Sequence, residues 1–417
     1  MTVTRGPDSS VTHGLAANID ALRTPNIALL VSGTVMNSSG NIVYNIGIAW
    51  LAYQLTNSAL IVGSLNSMRT LPILLLGPFI GVLLDRTHRP TVLKCNAAFV
   101  ALLSAGFLTL LLSGGLETWH LYVYMLLVGV GFAVGVSARR AVYADSVDSR
   151  LLLNALSLDL LGFEVVRIAA PALVGLVVAL WGVPAAFAGQ LALYTAVFFA
   201  LLPVRAKSHD IRSVSQHSPL HNLREGLTYA AHQPTVAASL LLSLVVFLVG
   251  PDIFFFVLPV YVRDTLHLGA EGVGLLGSAS AVGGIFGGLV ASSLGHRYGK
   301  GALLPAALTV MALSMLGLAA SSWLPLALLC AAGMGAGLVA FRALNEASIQ
   351  QVLDPALRGR ISTLSFMMMG AGTFAGVGSG ALSHAYGAPL TIALGGALLL
   401  GTAGFLLVRK PAGLRVV

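Results

Sequence analysis

Stretches of about 20 apolar residues, each long enough to cross a hydrocarbon core of roughly 30 Å as a helix, recur along this chain with only short polar breaks. Twelve can be drawn: residues 26–53, 60–84, 91–113, 121–140, 153–180, 185–204, 236–262, 271–295, 302–321, 324–345, 361–384 and 389–408. Membrane-spanning strands need segments of about ten residues alternating apolar and polar, and these do not alternate. Charged residues make up only 9% of the 417, against about 25% in soluble domains, so the surface faces lipid. The expected fold class is an all-α membrane protein with twelve transmembrane helices.

Short cytoplasmic loops retain Lys and Arg. Placing the N-terminus inside puts 19 of the 23 basic residues on the cytoplasmic side; only Arg263 falls outside, while Arg69, Arg167 and Arg342 lie within spans. Topology thus accounts for the net charge of +8 without a nucleic-acid partner. Residues 1–25, a cytoplasmic segment, lack the apolar core of a cleavable signal peptide, so the first span is expected to be retained. Two cysteines, Cys95 and Cys330, are too few for a disulfide framework.

The longest polar segment, residues 205–235, divides the spans six and six. Bundles of 26–204 and 236–408 would flank this cytoplasmic loop, with a tail at 409–417; the spacing over 220–232 predicts a short amphipathic helix. The halves also repeat. The basic turn GVLLDRTHR at 81–89 is answered 211 positions later by SSLGHRYGK at 292–300, and the stretches beginning at Gly129 and Gly333 pair at a similar offset. Parallel six-helix repeats are a transporter architecture with the substrate site near mid-membrane.

These motifs resemble the major facilitator superfamily. Gly81-Val-Leu-Leu-Asp85-Arg86-Thr-His-Arg89 is similar to the family's loop G-x-L-x-D-R-x-G-R-K between helices 2 and 3, departing at His88. The segments 53–65, 144–157 and 349–364 resemble the branch holding enterobactin exporters and macrolide or multidrug efflux proteins. The resemblance implies a conformational latch at Gly81, Asp85, Arg86 and Arg89, in which the acid pairs with basic groups or caps a helix in one state and releases it in the other. It implies a bend at Pro171 and Gly175, the survivors here of G-x-x-x-G-P-x-x-G-G, and a central cavity lined by spans 1, 4, 7 and 10. The family's R-x-x-Q-G motif in span 4 is absent, since Arg139 and Arg140 fall at the cytoplasmic end of that span.

A charge at mid-span costs about 2.5–3.5 kcal/mol on insertion scales, so such residues usually face a bundle interior. Glu164 and Arg167, three apart in span 5, are either a structural pair or a substrate or proton site; Arg342 and Glu346, four apart in span 10, a structural or gating pair. Arg69 in span 2, Asp159 in span 5 and Asp252 in span 7 complete the set. Asp252 follows Pro251, which should kink the span, and is either the proton-coupling acid or a structural hydrogen-bonding group. Span 1 carries Asn37, Asn41, Tyr44 and Asn45 on one stripe, the pattern of a wet face. His217 and His221 read as solvated loop residues, not metal ligands.

Together these features describe a secondary transporter exporting a small organic molecule, such as a drug, siderophore or similar amphipathic compound, by alternating access. No nucleotide-binding loop is present, so protons or another ion would drive it. Uptake or uncoupled facilitation of a metabolite or lipid is the alternative, and an intramembrane receptor or enzyme a further one. No enzyme activity, cofactor or metal is expected; the chain would be a monomer, multi-pass in the cell (inner, cytoplasmic) membrane among its lipids.

Overall fold

A computed structural model describes residues 22–147, 149–204, 219–298, 300–353, 361, 364, 365, 367, 368 and 372–409. The side chains of Asp85, Pro251, Asp252 and His221, and all of His217, lie outside what is described. The regular elements among the described residues are helices: α1 (Pro25–Thr56), α2 (Ala59–Arg86), α3 (Arg89–Ser113), α4 (Thr118–Ser146), α5 (Ser149–Leu201), α6 (Pro219–His232), α7 (Pro234–Val249), α8 (Pro251–Asp264), α9 (Ala270–Tyr298), α10 (Lys300–Ala319), α11 (Leu324–Val352), α12 (Gly372–Tyr386) and α13 (Ala388–Arg409).

Nine stretches of the described residues are long and apolar enough to cross a membrane, and one of these, Asn154–Leu201, has 48 residues and crosses twice. Its reversal is at Gly182, where φ of 80° is accessible to glycine without a Cβ penalty. Span 7 is broken into α7 and α8 at Gly250. Proline at 251 cannot donate to the helix ladder, so the helical hydrogen bonding cannot run on through it. Within α5 the residues around Pro171 and Gly175 keep helical backbone angles, and only Gly182 leaves them. The loop helix α6 docks by Ala230 against Val236, Leu240 and Ile349, with the Tyr229 hydroxyl donating to the Val352 carbonyl at 3.3 Å.

Helices α1 and α13 place their chain-terminal ends on one face of the molecule, the terminal face; α1 turns into α2 at the opposite, far face. One bundle is built by α1, α3 and α4 around α5, with α2 beside α4; the other joins α9, α10, α11 and α13. Two pairings join the bundles most extensively, α2 with α12 and α5 with α9. Both rest on small residues in the far halves of the helices. A methyl group at Gly63 would stand 2.0 Å from the Gly376 carbonyl oxygen, and one at Gly274 would stand 2.3 Å from that of Pro171. Gly63 and Gly274 are 211 positions apart, the offset of the charged turns, so the two joints are copies of each other. Where neighbouring lipid is as apolar as the helices, such close backbone approach is a main source of attraction.

The exterior is apolar, with Leu102 74% and Leu329 69% exposed. The interior of the first bundle holds a chain of hydrogen-bonded polar groups, as a lipid environment favours. Tyr124 donates to Gln190 Oε1 at 3.1 Å, Gln190 donates to the Gly40 carbonyl at 3.2 Å, and Tyr194 donates to Asn41 Oδ1 at 2.9 Å.

Candidate functional site

The charges read separately along the sequence converge between the bundles. Arg167 Nε donates to Glu164 Oε2 at 2.9 Å on the face of α5. From there the guanidinium reaches α9, where a methyl at Gly284 would meet it at 2.6 Å and Val339 of α11 at 2.9 Å. Arg342 of α11 has Arg167, Glu164 and Glu346 as its charged neighbours. Its guanidinium also stands over the Phe247 ring of α7, 6.0 Å from the centroid. Glu346 accepts from Gln350 at 2.8 Å. Two arginines and two carboxylates from different bundles thus form one group, and Arg342 and Glu346, in the terminal half of α11, are exposed.

On the other side of the interface, Tyr44 of α1 is fully buried and has Arg69 of α2 as its charged neighbour. Arg69 stands over the Phe132 ring of α4 at 6.0 Å. The remaining residues of the span 1 stripe are partly buried: Asn41 is held by Tyr194, Asn45 Nδ2 donates to the Asn41 carbonyl at 2.8 Å, and Asn37 lies one turn nearer the terminal face. Of the span 7 phenylalanines, Phe254 and Phe256 are buried and Phe255 is exposed.

Above these groups the far face is sealed across the bundles. The Tyr53 hydroxyl at the end of α1 donates to Asp264 Oδ2 at the end of α8, at 2.5 Å. Arg263 Nη1 donates to Asn57 Oδ1 at 2.8 Å, and its guanidinium stands 5.1 Å from the Tyr53 ring centroid. Asn57 has a left-handed φ of 48°, which aims the chain into α2 and suits asparagine. Arg263 was the one basic residue the topology put outside; its partners explain it. Tyr53→Phe removes a charge-assisted hydrogen bond of about 1.5–3 kcal/mol, discounted for partial exposure. We expect a cysteine placed at Ala59, buried in the α2–α12 joint, to react about threefold faster or more with maleimide in that variant. An unchanged labelling rate would remove the gate role.

The terminal face has its own clasp, within one bundle. Arg89 at the start of α3 donates to both oxygens of Asp145 in α4, at 3.0 and 3.1 Å, and to the Leu84 carbonyl of α2 at 3.4 Å. Of the other positions in that loop, Gly81 and Arg86 are exposed. Arg139 is not a free end group: its Nη1 donates to Thr34 Oγ1 at 2.7 Å, Thr34 is hydrogen-bonded to Asp159, and Tyr143 donates to Asp159 at 2.7 Å. Sequence reasoning missed Asp145, Tyr53, Asp264 and Asn57 as partners. The lone external arginine was the one signal that pointed to the far-face group.

Among the described residues no cluster of His, Cys, Asp and Glu could hold a metal ion. The fold is that of major facilitator transporters. The chain is similar to the nucleoside transporter NupG (TM-score 0.77, 12% identity, covering 92% of this chain and 99% of that one). It is also similar to a bacterial homologue of the iron transporter ferroportin in an inward-facing state (TM-score 0.69, 18% identity, 91% and 98%) and to a D-xylose–proton symporter (TM-score 0.71, 14% identity, 93% and 97%). In sequence it is 26% identical over 183 residues to the staphyloferrin A transporter of Staphylococcus aureus (strain NCTC 8325 / PS 47). That match takes in 43% of this chain and spans less than half of the relative, 46% of its length. The family described as transmembrane secretion effector matches residues 16–413. With interlocking bundles, charges shared between them and a match along nearly its whole length, the chain belongs to the transmembrane secretion effector family of major facilitator transporters, and is not an enzyme.

Proposed function

We propose that this secondary transporter exports a small organic solute of siderophore or drug type from the cytoplasm, in exchange for protons. The observation that carries the reading is the group Glu164, Arg167, Arg342 and Glu346, contributed by both bundles, with Arg342 and Glu346 exposed, beneath a sealed far face. A solute bound there touches both bundles at once, so its binding can bias their relative position. The partial match to a staphyloferrin A transporter supports the siderophore class. The distribution of Lys and Arg supports assigning the terminal face to the cytoplasm, which makes this conformer open inward.

In this reading the units 26–204 and 236–408 rock against each other, parting and closing at the far-face joints of Gly63 and Gly274, linked by 205–235. The far-face hydrogen bonds break as the terminal face closes, and Asp85, Arg86 and Arg89 exchange partners there. Asp252, with Glu164, carries protons inward: each accepts one while facing the acidic side and yields it inside, as a solute with affinity for the neighbouring arginines binds. The chain works as a monomer in the cell membrane.

Proteoliposomes separate flux from coupling. Counterflow of a labelled solute tests transport itself; its absence across a panel of siderophores, macrolides and metabolites would sink the export reading. For coupling, Asp252→Asn should abolish uptake driven by a pH gradient while leaving counterflow within about twofold, because only the proton-carrying step needs the ionisable group. Full gradient-driven transport in that variant would reassign Asp252 to a structural role.

A further inference from the structure

Two donors buried in the first bundle lack a well-placed acceptor. The Tyr44 hydroxyl and Arg69 Nε are both sealed from solvent and neither makes a well-formed hydrogen bond, although the Arg69 side chain lies beside the Tyr44 oxygen. No described carboxylate pairs with the Arg69 guanidinium. Of the other arginines within spans, Arg167 is paired with Glu164 and Arg342 has Glu164 and Glu346 among its charged neighbours. Burying a cation without an anion is costly, so a mid-span arginine retained this way points to a ligand that supplies the charge.

The position is also particular. Gly63 and Ser67 of α2 pack against Gly376 in the far-face joint, and Arg69 is two residues further toward the terminal face, directly under the seal. Arg167 stands under the other joint in the same way, one turn from Pro171. Tyr44 and Arg69 lie inside the first bundle beside α4, with the Arg69 backbone against Gly129 and its guanidinium over Phe132. Arg69 is part-exposed although its Nε is buried, so the rest of the guanidinium is not wholly enclosed by protein.

We infer that Tyr44 and Arg69 form a subsite for a carboxylate group of the transported solute. This rests on the export reading and names the chemical class of its cargo. A guanidinium meets a carboxylate with two parallel N–H donors, and the Tyr44 hydroxyl supplies a third. One positive charge balances a monoanionic carboxylate; a phosphate dianion would retain an unbalanced charge in a setting of low dielectric. Phe132, stacked near Arg69, offers an apolar surface to the body of the molecule.

The test uses the purified full chain in lipid nanodiscs with 1-naphthoate, its neutral analogue 1-naphthamide, and 1-naphthyl phosphate as calorimetric probes. Naphthoate should bind, with the amide and the phosphate each about tenfold weaker or more. Arg69→Gln should weaken naphthoate about tenfold or more, Tyr44→Phe by about threefold, and Arg69→Lys should recover part of the loss. The ligand-free Arg69→Gln protein should melt at the same temperature or higher, because an unpaired buried charge has gone; an arginine with a purely structural role would lower it. Absent naphthoate binding, equal binding of the amide, or a lower melting temperature with unchanged naphthoate affinity would overturn the subsite. Solute counterflow, measured in parallel, keeps the two readings apart. Counterflow undiminished by Arg69→Gln for every transported solute defeats the subsite alone, whereas wild-type protein that binds naphthoate but moves no solute defeats the export reading.

Discussion

Gly63→Leu is expected to stop transport while leaving both bundles folded. A first methyl at this position stands 2.0 Å from the Gly376 carbonyl oxygen and 3.0 Å from the Gly380 Cα, backbone atoms that no rotamer change can move away. Overpacking costs about 1–3 kcal/mol, and here the cost falls only on conformers with the far face shut, since Gly63 and Gly376 belong to different bundles. Applied to a two-state equilibrium, that penalty shifts the ratio of far-closed to far-open molecules by about 5- to 150-fold. The measurement is maleimide labelling of Ser278→Cys, in a background with Cys95 and Cys330 replaced by serine. Ser278 accepts from the Ala172 N–H at 3.1 Å in the other joint, so faster labelling there reports opening of the whole face and not local damage at α2. Labelling at the wild-type rate, with solute flux intact, would show that α2 and α12 do not part during the cycle.

The spans were legible because lipid leaves a helix no choice: each must be a long apolar run, and the described helices follow those runs closely. Loop helix α6 begins at Pro219 where the pattern began at residue 220. Pairing partners were harder to read. Glu164 with Arg167 is a neighbour relation on one helix and could be read from spacing, but their meeting with Arg342 depends on how α5 and α11 face each other across the interface. Asn41 counted as part of a wet stripe because periodicity gives a face and not what lies against it; Tyr194 of the same bundle takes its oxygen. Arg139 looked like an end group because the positive-inside pattern explained it, while the structure folds it back onto Thr34. The joint itself was readable in principle. The 211-residue offset that matched the charged turns also matches Gly63 to Gly274, and the apolar surroundings of both glycines drew no attention.

Gly335→Leu makes a clash as severe as that at Gly63 and should have the opposite phenotype. A methyl at Gly335 of α11 stands 1.8 Å from the Ser280 carbonyl oxygen of α9, and Gly283 and Gly287 approach Ala332 and Ala336 just as closely along the same seam. Both helices belong to the second bundle, and this seam has no open state in the transport cycle to which the strain could be displaced. The penalty of about 1–3 kcal/mol or more then falls on every folded conformer. It is a large share of the 5–15 kcal/mol that holds a typical domain. The expected result is a melting temperature several degrees lower and a reduced yield of monodisperse protein in detergent, with any surviving molecules labelled at Ser278→Cys at the wild-type rate. The pair of variants thereby separates seams that move from seams that do not. If Gly335→Leu left the melting temperature unchanged but accelerated far-face labelling, the α9–α11 contact would belong to the moving interface, and the division into two rigid bundles would have to be redrawn.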